Sequence, residues 1–219
     1  MAACFFMCAT APRTIVYVDG FNLYSGAIRG SPYRWLDLQR YFAKVRPVDD
    51  IQAIKYFTAP VTGMAGSRQD ALLRAFGTLP RVEVILGAFK LKRISCTFRT
   101  CPRIANGTPG FDVPEEKRTD VNIALHMLDD AYQQLCDRQV LVSGDSDMVP
   151  AVRMVQRRFP DVRIHVYVPA RVRRRGAAVE LRGAAHRSRT LPLNLMANSL
   201  LPNPVIARDG TVIHKPLDW

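Results

Sequence analysis

The sequence predicts an α/β fold in which a mainly parallel sheet carries helices on both faces. Short β-branched runs recur along the chain, and segments with amphipathic helical periodicity lie between them. Strands that alternate with helices in this way are typical of parallel sheets built from crossover units. The chain has 219 residues, of which 48% are apolar and 23% charged. At this size and composition one domain buries a core without disulfide bonds.

Each predicted strand is a short apolar or β-branched run bounded by turn residues. In chain order these runs are Thr14–Val18, Asp50–Ala59, Val82–Phe89, Gln139–Ser143 and Asp161–Val168. Residues 90–118 show no sustained period and contain several prolines and two cysteines, so we expect a long irregular stretch there. A loop of this length inside a compact domain is usually functional or disordered.

The predicted helices show apolar residues at steps of three and four. One helix begins near Ser67 and closes over Leu72–Leu79, and another spans Ser146–Phe159. The third follows Asp120, with its apolar positions at Ile123, Ala124, Met127, Leu128, Ala131 and Leu135.

The chain ends are expected to lie outside the main domain. We expect residues 1–12 to form a flexible extension, residues 13–190 the domain and residues 191–219 a tail that packs on it, with a hairpin at Arg208–Gly210 and Trp219 as an anchor. The N-terminal apolar run is too short for a signal peptide, and no stretch has the length of a membrane span. Five cysteines without a framework spacing favour reduced thiols, so the expected location is the cytoplasm.

The net charge of +12 predicts affinity for polyanions. The excess is concentrated in the irregular stretch and in residues 170–189, and a solvated charged face is the alternative interpretation for both. The residues that we predict to contact nucleic acid are Lys92, Arg93, Lys117, Arg118, Arg173, Arg174 and Arg175.

Acidic residues follow the predicted strands at the edge of the sheet where α/β proteins bind ligands. Asp19 follows the first strand, Asp145 and Asp147 follow the fourth, and Asp120 begins the helix that leads into the fourth. We therefore expect these four acids to meet. Clustered carboxylates repel one another unless a cation neutralises them, and oxygen ligands select Mg²⁺ or Mn²⁺.

A site of this kind activates a water molecule for phosphoryl displacement with one or two metal ions. We predict Asp19, Asp120 and Asp145 as metal ligands, directly or through water, and Asp147 as a supporting acid or the ligand of a second ion. Asn22 is predicted to orient a water or a phosphate oxygen, and Ser143 to donate a hydrogen bond to a carboxylate. The structural alternatives are a turn at Asp19-Gly20 and helix caps at Asp120, Asp145 or Ser146.

Three segments together resemble the motifs of the NYN domain family, which belongs to the PIN-like nuclease superfamily and includes the LabA-like bacterial proteins. They are YVDGFNLY at 17–24, EEKRTDVNIALHML at 115–128 and VSGDSDMVP at 142–150, in the family's order and spacing within residues 14–170. The resemblance implies a Rossmann-like, PIN-type three-layer sandwich and metal-dependent hydrolysis of RNA. It places the acidic centre on Asp19, Asn22, Asp120, Asp145 and Asp147. Arg118 is a departure, because similar members often have glycine there, and its charge could hold phosphate or compete with a metal ion.

Other functions stay open at this stage. An NYN protein that binds RNA without cleaving it would keep the same acids, and a toxin of a toxin–antitoxin pair would be another nuclease. Some chains that resemble this one over its whole length are labelled as pyridine-ring monooxygenases of nicotine breakdown. The sequence contains no dinucleotide fingerprint, phosphate loop, zincin motif or serine-hydrolase elbow. Whether the protein forms a homodimer is also open.

Two weaker features complete the set of candidates. Aromatic residues near the first motif could stack on unpaired bases or could simply pack in the core: Phe21, Tyr24, Tyr33 and Trp35. Cys96 and Cys101 are spaced as one half of a zinc site, for which His126 is a weak further candidate.

Overall fold

A computed structural model describes residues 10–61, 63–95, 110–171 and 178–219, except for the side chains at 110, 111, 114 and 115. The strands in chain order are β1 (Arg13–Asp19), β2 (Asp50–Thr58), β3 (Val82–Leu86), β4 (Ala88–Ser95), β5 (Gly110–Lys117), β6 (Arg138–Val142), β7 (Arg163–Val168), β8 (Arg187–Thr190), β9 (Val205–Ile206) and β10 (Val212–Ile213). The helices are α1 (Gly20–Leu23), α2 (Leu38–Val45), α3 (Gly63–Phe76), α4 (Thr119–Tyr132), α5 (Val149–Arg158) and α6 (Val179–Ala184). A π-helical segment, Tyr24–Ile28, continues α1, and 3₁₀ turns lie at Ser146–Met148 and Leu193–Leu195.

Six strands form a parallel sheet in the order β3-β2-β1-β6-β7-β8. The chain builds outward from β1 to β3 on one side and then from β6 to β8 on the other. The direction of winding therefore reverses between β1 and β6, and the carboxyl ends of these two strands flank a crevice of the kind in which α/β proteins bind ligands.

Apolar side chains cover both faces of this sheet and form a three-layer sandwich. In β1, Val16 and Val18 belong to the cluster on one face, whereas Ile15 and Tyr17 belong to the cluster on the other. The first cluster includes residues of α1, α2, α3 and the C-terminal segment, and the second includes residues of α4, α5 and α6. The predicted α/β fold class with a mainly parallel sheet is confirmed.

The segment after β3 differs from the sequence prediction. Val82–Phe89 is not one strand, and residues 90–118 are not wholly irregular, because the chain leaves the sheet after Leu86 and β4 pairs antiparallel with β5. A Cβ atom on Gly87 would lie 2.7 Å from the Lys117 carbonyl oxygen, so only glycine fits this crossing. Residues 90–95 of β4 are exposed, and a strand without a buried face lacks the apolar alternation that identifies strands in a sequence.

The helices also differ from their predicted bounds. Helix α3 ends at Phe76 rather than Leu79, α4 ends before Leu135, and the helix predicted from Ser146 is a 3₁₀ turn followed by α5. Helix α2 was missed, although the Asp37 side chain caps it by accepting a hydrogen bond from the Arg40 backbone amide. Helix α6 and strand β8 were missed as well, since both are short and lie in an arginine-rich segment.

The C-terminal segment packs on the first face of the sheet. Met196, Leu201 and Val205 are buried there, and Trp219 meets Trp35 edge to face at a centroid distance of 6.2 Å. The predicted hairpin is confirmed, because β9 pairs antiparallel with β10 across Gly210, whose φ is +84°. Within the described ranges, no helix combines the length and apolarity required to traverse a bilayer.

Candidate active site

Asp19 lies at the centre of the crevice between β1 and β6, where it ends β1 and caps α1. It is 2% exposed. Its Oδ1 accepts a hydrogen bond from the Asn22 backbone amide at 2.9 Å, and its Oδ2 accepts bonds from Asn22 Nδ2 at 2.6 Å and Ser143 Oγ at 3.0 Å. Burial raises the pKa of Asp19, and these hydrogen bonds offset only part of that effect. Asp19 is therefore both a helix cap and a buried carboxylate in a single orientation.

Asn22 and Ser143 connect the two strand ends. Asn22 Oδ1 accepts a hydrogen bond from the Gly144 backbone amide at 3.1 Å, and Ser143 Oγ accepts one from the Asp145 amide at 3.1 Å. Ser143 thus donates to a carboxylate, as the sequence predicted. The Asn22 amide is engaged at both its oxygen and its nitrogen, so its role in this structure is to position Asp19. Its contact with a water or a phosphate stays a prediction.

Asp145 and Asp147 follow β6 on the outer side of the crevice. The Asp145 side chain caps the 3₁₀ turn Ser146–Met148 by accepting a hydrogen bond from the Asp147 amide at 2.9 Å. Asp145 is half-buried, whereas Asp147 is exposed. The capping alternative for Asp145 is therefore correct, and it is compatible with a role in a site because the second carboxylate oxygen is not used in the cap.

Asp120 lies half-buried in the first turn of α4. The alternative that it caps this helix does not hold, because Arg118 occupies the cap position with a left-handed φ of 76°. Burial, and after it the charges of Asp19, Asp145 and Asp147 in that order, together raise the pKa of Asp120 to about 6. The four acids predicted from the sequence therefore interact electrostatically across one crevice.

Glu116 is a further acid at the crevice that sequence reasoning missed. It lies at the end of β5, where its Oε1 accepts a hydrogen bond from Thr119 Oγ1 at 2.6 Å. Burial and the charge of Asp120 raise its pKa, and its own charge raises the pKa of Asp19. The signal was present, since Glu116 belongs to the second motif, but the segment had been assigned to an irregular loop.

The acids do not form a ready-made metal cage. Among the residues that the structure describes, no group of three or more His, Cys, Asp and Glu side chains is arranged to hold a metal ion. Mg²⁺ usually takes only one or two protein carboxylates and keeps several waters. Carboxylates that repel one another without direct contact fit a hydrated ion of this type better than a fully coordinated one.

The predicted nucleic-acid residues are only partly placed. Lys117 and Arg118 are exposed and come directly before α4, next to Asp120. Lys92 and Arg93 lie on the exposed strand β4, where Arg93 is 3.5 Å from Asp112. Arg173, Arg174 and Arg175 lie outside the described residues, as do the cysteines of the proposed half zinc site, Cys96 and Cys101.

The weaker candidates divide into surface and core residues. Phe21 is 57% and Tyr24 42% exposed, so both can contact a ligand, whereas Trp35 is 1% exposed and belongs to the core. His126 Nδ1 lies 3.1 Å from Lys55 Nζ in a buried network with Asp130, a structural role that explains its position.

An apolar cavity of about 260 Å³ lies beside the acids, on the face of the sheet covered by α1 and α3. Gly20, Tyr56 and Glu116 line the part of it that adjoins the crevice. A Cβ atom on Gly20 would lie 2.8 Å from the Tyr56 hydroxyl oxygen, so the absence of a side chain there makes room for the tyrosine. Burial raises the pKa of Tyr56, and the charges of Asp19 and Glu116 add to that effect, so the cavity is coupled electrostatically to the acids.

Comparison with known proteins gives a curated relative and solved structures that resemble this chain to different degrees. The 6-hydroxy-3-succinoylpyridine 3-monooxygenase HspA of Pseudomonas putida is 32% identical over 238 residues, which cover 94% of this chain and 75% of the relative. A protein of unknown function from Vibrio parahaemolyticus superimposes with a TM-score of 0.54 at 20% identity, over 88% of this chain and 98% of that one. At this identity the likeness shows the fold alone. The nicotinamidase of Staphylococcus aureus aligns with a TM-score of 0.36 at 11% identity, which is too weak to support a comparison.

The family assignment rests on most of the chain. The family model of the NYN domain matches residues 13–192, which contain all three motifs and every acid of the crevice. The chain therefore belongs to the NYN domain family of the PIN-like nuclease superfamily.

Proposed function

We propose that this protein is a ribonuclease that hydrolyses RNA phosphodiester bonds with Mg²⁺ or Mn²⁺. The observation that carries the proposal is the electrostatic coupling of Asp120 with Asp19, Asp145 and Asp147 at the crevice. Acids brought from three distant segments to the strand ends of a parallel sheet repel one another, and a divalent cation relieves that repulsion. Membership of a nuclease-type hydrolase family supports the same chemistry.

In this proposal Asp19, Asp120 and Asp145 hold the cation directly or through water. A bound divalent ion supplies Lewis-acid stabilisation of the phosphoryl oxygens and lowers the pKa of a water nucleophile. Asn22 and Ser143 keep the Asp19 carboxylate in one orientation through their hydrogen bonds. That preorganisation places negative charge at the crevice before RNA arrives.

The remaining residues have supporting roles in the proposal. Asp147 is exposed and supports the other acids or binds a second ion. In the proposal the RNA backbone contacts basic residues, which hold phosphates without reading the sequence. These residues are Lys117, Arg118, Lys92, Arg93, Arg173, Arg174 and Arg175.

The test is cleavage of a labelled single-stranded or structured RNA with Mn²⁺, with Mg²⁺ and with a chelator. We expect metal-dependent cleavage that falls by about a hundredfold or more in Asp19→Asn and in Asp145→Asn. Asp161→Asn is the matched control, because Asp161 is exposed at the opposite, amino-terminal edge of the sheet before β7. Cleavage that persists in the Asp19→Asn/Asp145→Asn double variant contradicts the assigned centre. Salt-sensitive RNA binding without cleavage by either metal points instead to a regulatory RNA-binding protein.

A second candidate function is that of a pyridine-derivative monooxygenase, since the Pseudomonas putida relative is named as a monooxygenase of 6-hydroxy-3-succinoylpyridine. The relative supports it, because its sequence is 32% identical in an alignment that covers 94% of this chain. The cavity of about 260 Å³ beside the acids supports it as well, because it has room for a single ring. The reaction needs a reductant and O₂, and the sequence has no dinucleotide fingerprint. Its test is NADH consumption that depends on a hydroxypyridine. Absence of such turnover, with and without added flavin, rules it out.

A further inference from the structure

The cavity beside the acids, already cited for the second candidate function, carries a further inference about the class of ligand that it binds, and the binding test below is separate from either catalytic activity. It opens at Phe21 and Tyr24, which are exposed, and it ends at Tyr56, Phe76 and Glu116, which are buried or half-buried. At about 260 Å³ it is slightly smaller than the pockets that hold drug-sized ligands, which begin at about 300 Å³. A single planar ring system is the size of ligand that it suits.

The wall of the cavity is mainly aromatic and aliphatic, which favours a ligand with a flat apolar surface over an extended polar ligand. Tyr56 meets Phe76 edge to face at 5.1 Å, and Phe89 pairs across the β4–β5 ladder with Glu116. Leu72 and Leu36 contribute further apolar surface. Rings bind in such surroundings by offset stacking and edge-to-face contact.

Two polar groups of the wall lack partners within the part of the chain that the structure describes. Arg34 is half-buried and makes no hydrogen bond or ion pair there, and the Tyr56 hydroxyl makes no hydrogen bond. By contrast, the other arginine of the wall, Arg68, pairs with Asp218 at 2.5 Å. Gln69 is also engaged, since its Oε1 accepts a hydrogen bond from the Val61 backbone amide and its Nε2 donates one to the Ala59 carbonyl oxygen.

An unpaired, half-buried guanidinium beside an apolar cavity is suited to an anionic group of a ligand, because the bond is charge-assisted and partly shielded from water. The Tyr56 hydroxyl, at the far end, can donate to or accept from a heteroatom of a ring. Glu116 adds an acceptor at the same end, since its Oε1 already holds one hydrogen bond from Thr119 and its other oxygen does not.

We propose that this cavity binds one planar heteroaromatic ring that carries an anionic substituent, with the ring between Tyr56, Phe76 and Phe89 and the anion on Arg34. The ring meets the Tyr56 hydroxyl and the Glu116 carboxylate, and the anion lies towards the mouth. A nucleotide of an RNA strand and a free aromatic acid share this chemistry.

The test is calorimetric titration of the full chain with two sets of probes. One set is the nucleoside monophosphates with their nucleosides as neutral counterparts, and the other is nicotinate and hydroxynicotinates with nicotinamide as the neutral counterpart. We expect one anionic ring per chain, with affinity about tenfold or more above that of its neutral counterpart, the effect of a charge-assisted hydrogen bond. Binding restricted to nucleotides identifies the ligand as part of a nucleic acid, and binding restricted to aromatic acids identifies a free small molecule.

Two pairs of variants test the assigned residues. Arg34→Gln is expected to weaken binding of the anionic probe about tenfold and to leave the neutral counterpart unchanged, whereas Arg29→Gln, an exposed arginine outside the cavity, has no effect. Ala65→Trp places a large ring on an exposed position of the cavity wall and is expected to abolish binding, whereas Met64→Trp, 78% exposed and outside the wall, does not. Failure of every probe to bind at millimolar concentration overturns the proposal, as does binding that neither Arg34→Gln nor Ala65→Trp changes. RNA cleavage is measured separately, so its presence or absence does not enter this test.

Discussion

Replacing Asp120 by asparagine should make the metal-free protein more stable, although it removes a residue of the proposed centre. The pKa of Asp120 rises from 3.8 to about 6, and a difference of this size corresponds to about 3 kcal/mol. A carboxylate in the first turn of a helix regains about 0.3–1 kcal/mol from the helix N-terminus, and solvent screens part of the repulsion. We therefore expect Asp120→Asn to stabilise the fold by about 1–2 kcal/mol at about pH 8.

The sign of the pH dependence makes this prediction specific. The folded-state pKa of Asp120 lies above its unfolded value, so the free-energy penalty on the folded wild-type protein grows as the pH rises from about 4 and is complete above about pH 6. The advantage of Asp120→Asn should shrink as the pH falls through about 6 and vanish near the unfolded value of about 4. Urea unfolding monitored by circular dichroism, in the presence of a chelator, measures the free energy of unfolding at both ends of this range.

The concentration of divalent metal ions is a second variable in the same experiment. Millimolar Mg²⁺ or Mn²⁺ should stabilise the wild-type protein by binding its folded state, and should stabilise Asp120→Asn less. Asp161→Asn serves as the control, since Asp161 is exposed on a loop away from the crevice and should behave as wild type. The reasoning is refuted if Asp120→Asn destabilises the chelated protein at pH 8, or if its effect is the same at both ends of the pH range.

Three further predictions concern the scaffold. Asp130→Ala should lower the free energy of unfolding, measured with urea, by about 3–5 kcal/mol, because it leaves the buried Lys55 ammonium without its carboxylate. The double variant Lys55→Met/Asp130→Leu should lose clearly less stability, and equal losses contradict the ion-pair explanation. Burial and then nearby arginines lower the pKa of His165 to about 4. The unfolded chain therefore binds an extra proton between about pH 6.5 and 4, and the free energy of unfolding should fall by about 2–3 kcal/mol as the pH falls across that window. The fall should be much smaller in His165→Gln. Gly26→Ala should lower the melting temperature, because the new Cβ would lie 2.2 Å from the Pro169 carbonyl oxygen. A loss of about 2 kcal/mol in stability corresponds to a decrease of about 4–8 °C, and an unchanged melting temperature shows that the backbone there moves freely.

Much of the sheet and most of the acids were predictable from the sequence. The strands β1, β2, β6 and β7 are apolar runs with a buried face, so their periodicity is visible without coordinates. The rule that ligands bind beyond the carboxyl ends of parallel strands then places Asp19 and Asp145 at one edge. Topology brings both strand ends to this edge, where the charges of Asp19 and Asp145 add to the effect of burial in raising the pKa of Asp120.

The hairpin β4–β5 and the helix caps needed the structure. Strand β4 is exposed over residues 90–95 and therefore has no hydrophobic signature, so the segment looked irregular and Glu116 was overlooked. Arg118, rather than Asp120, occupies the N-cap position of α4, with a left-handed φ of 76° and no capping hydrogen bond from its side chain. Such geometry depends on the junction of two elements and not on the preference of one residue.

The sequence alone determined the fold class, the positions along the chain of the strands that the acids follow, and the family to which the chain belongs, because each depends on local periodicity and on short motifs. Only the tertiary structure decided that Arg34, Tyr56, Phe89 and Glu116 surround one cavity next to those acids. These residues come from four separate segments with no shared pattern. Their proximity arises from the packing of α1, α3 and the hairpin around β2, which depends on long-range contacts that no local window of sequence contains.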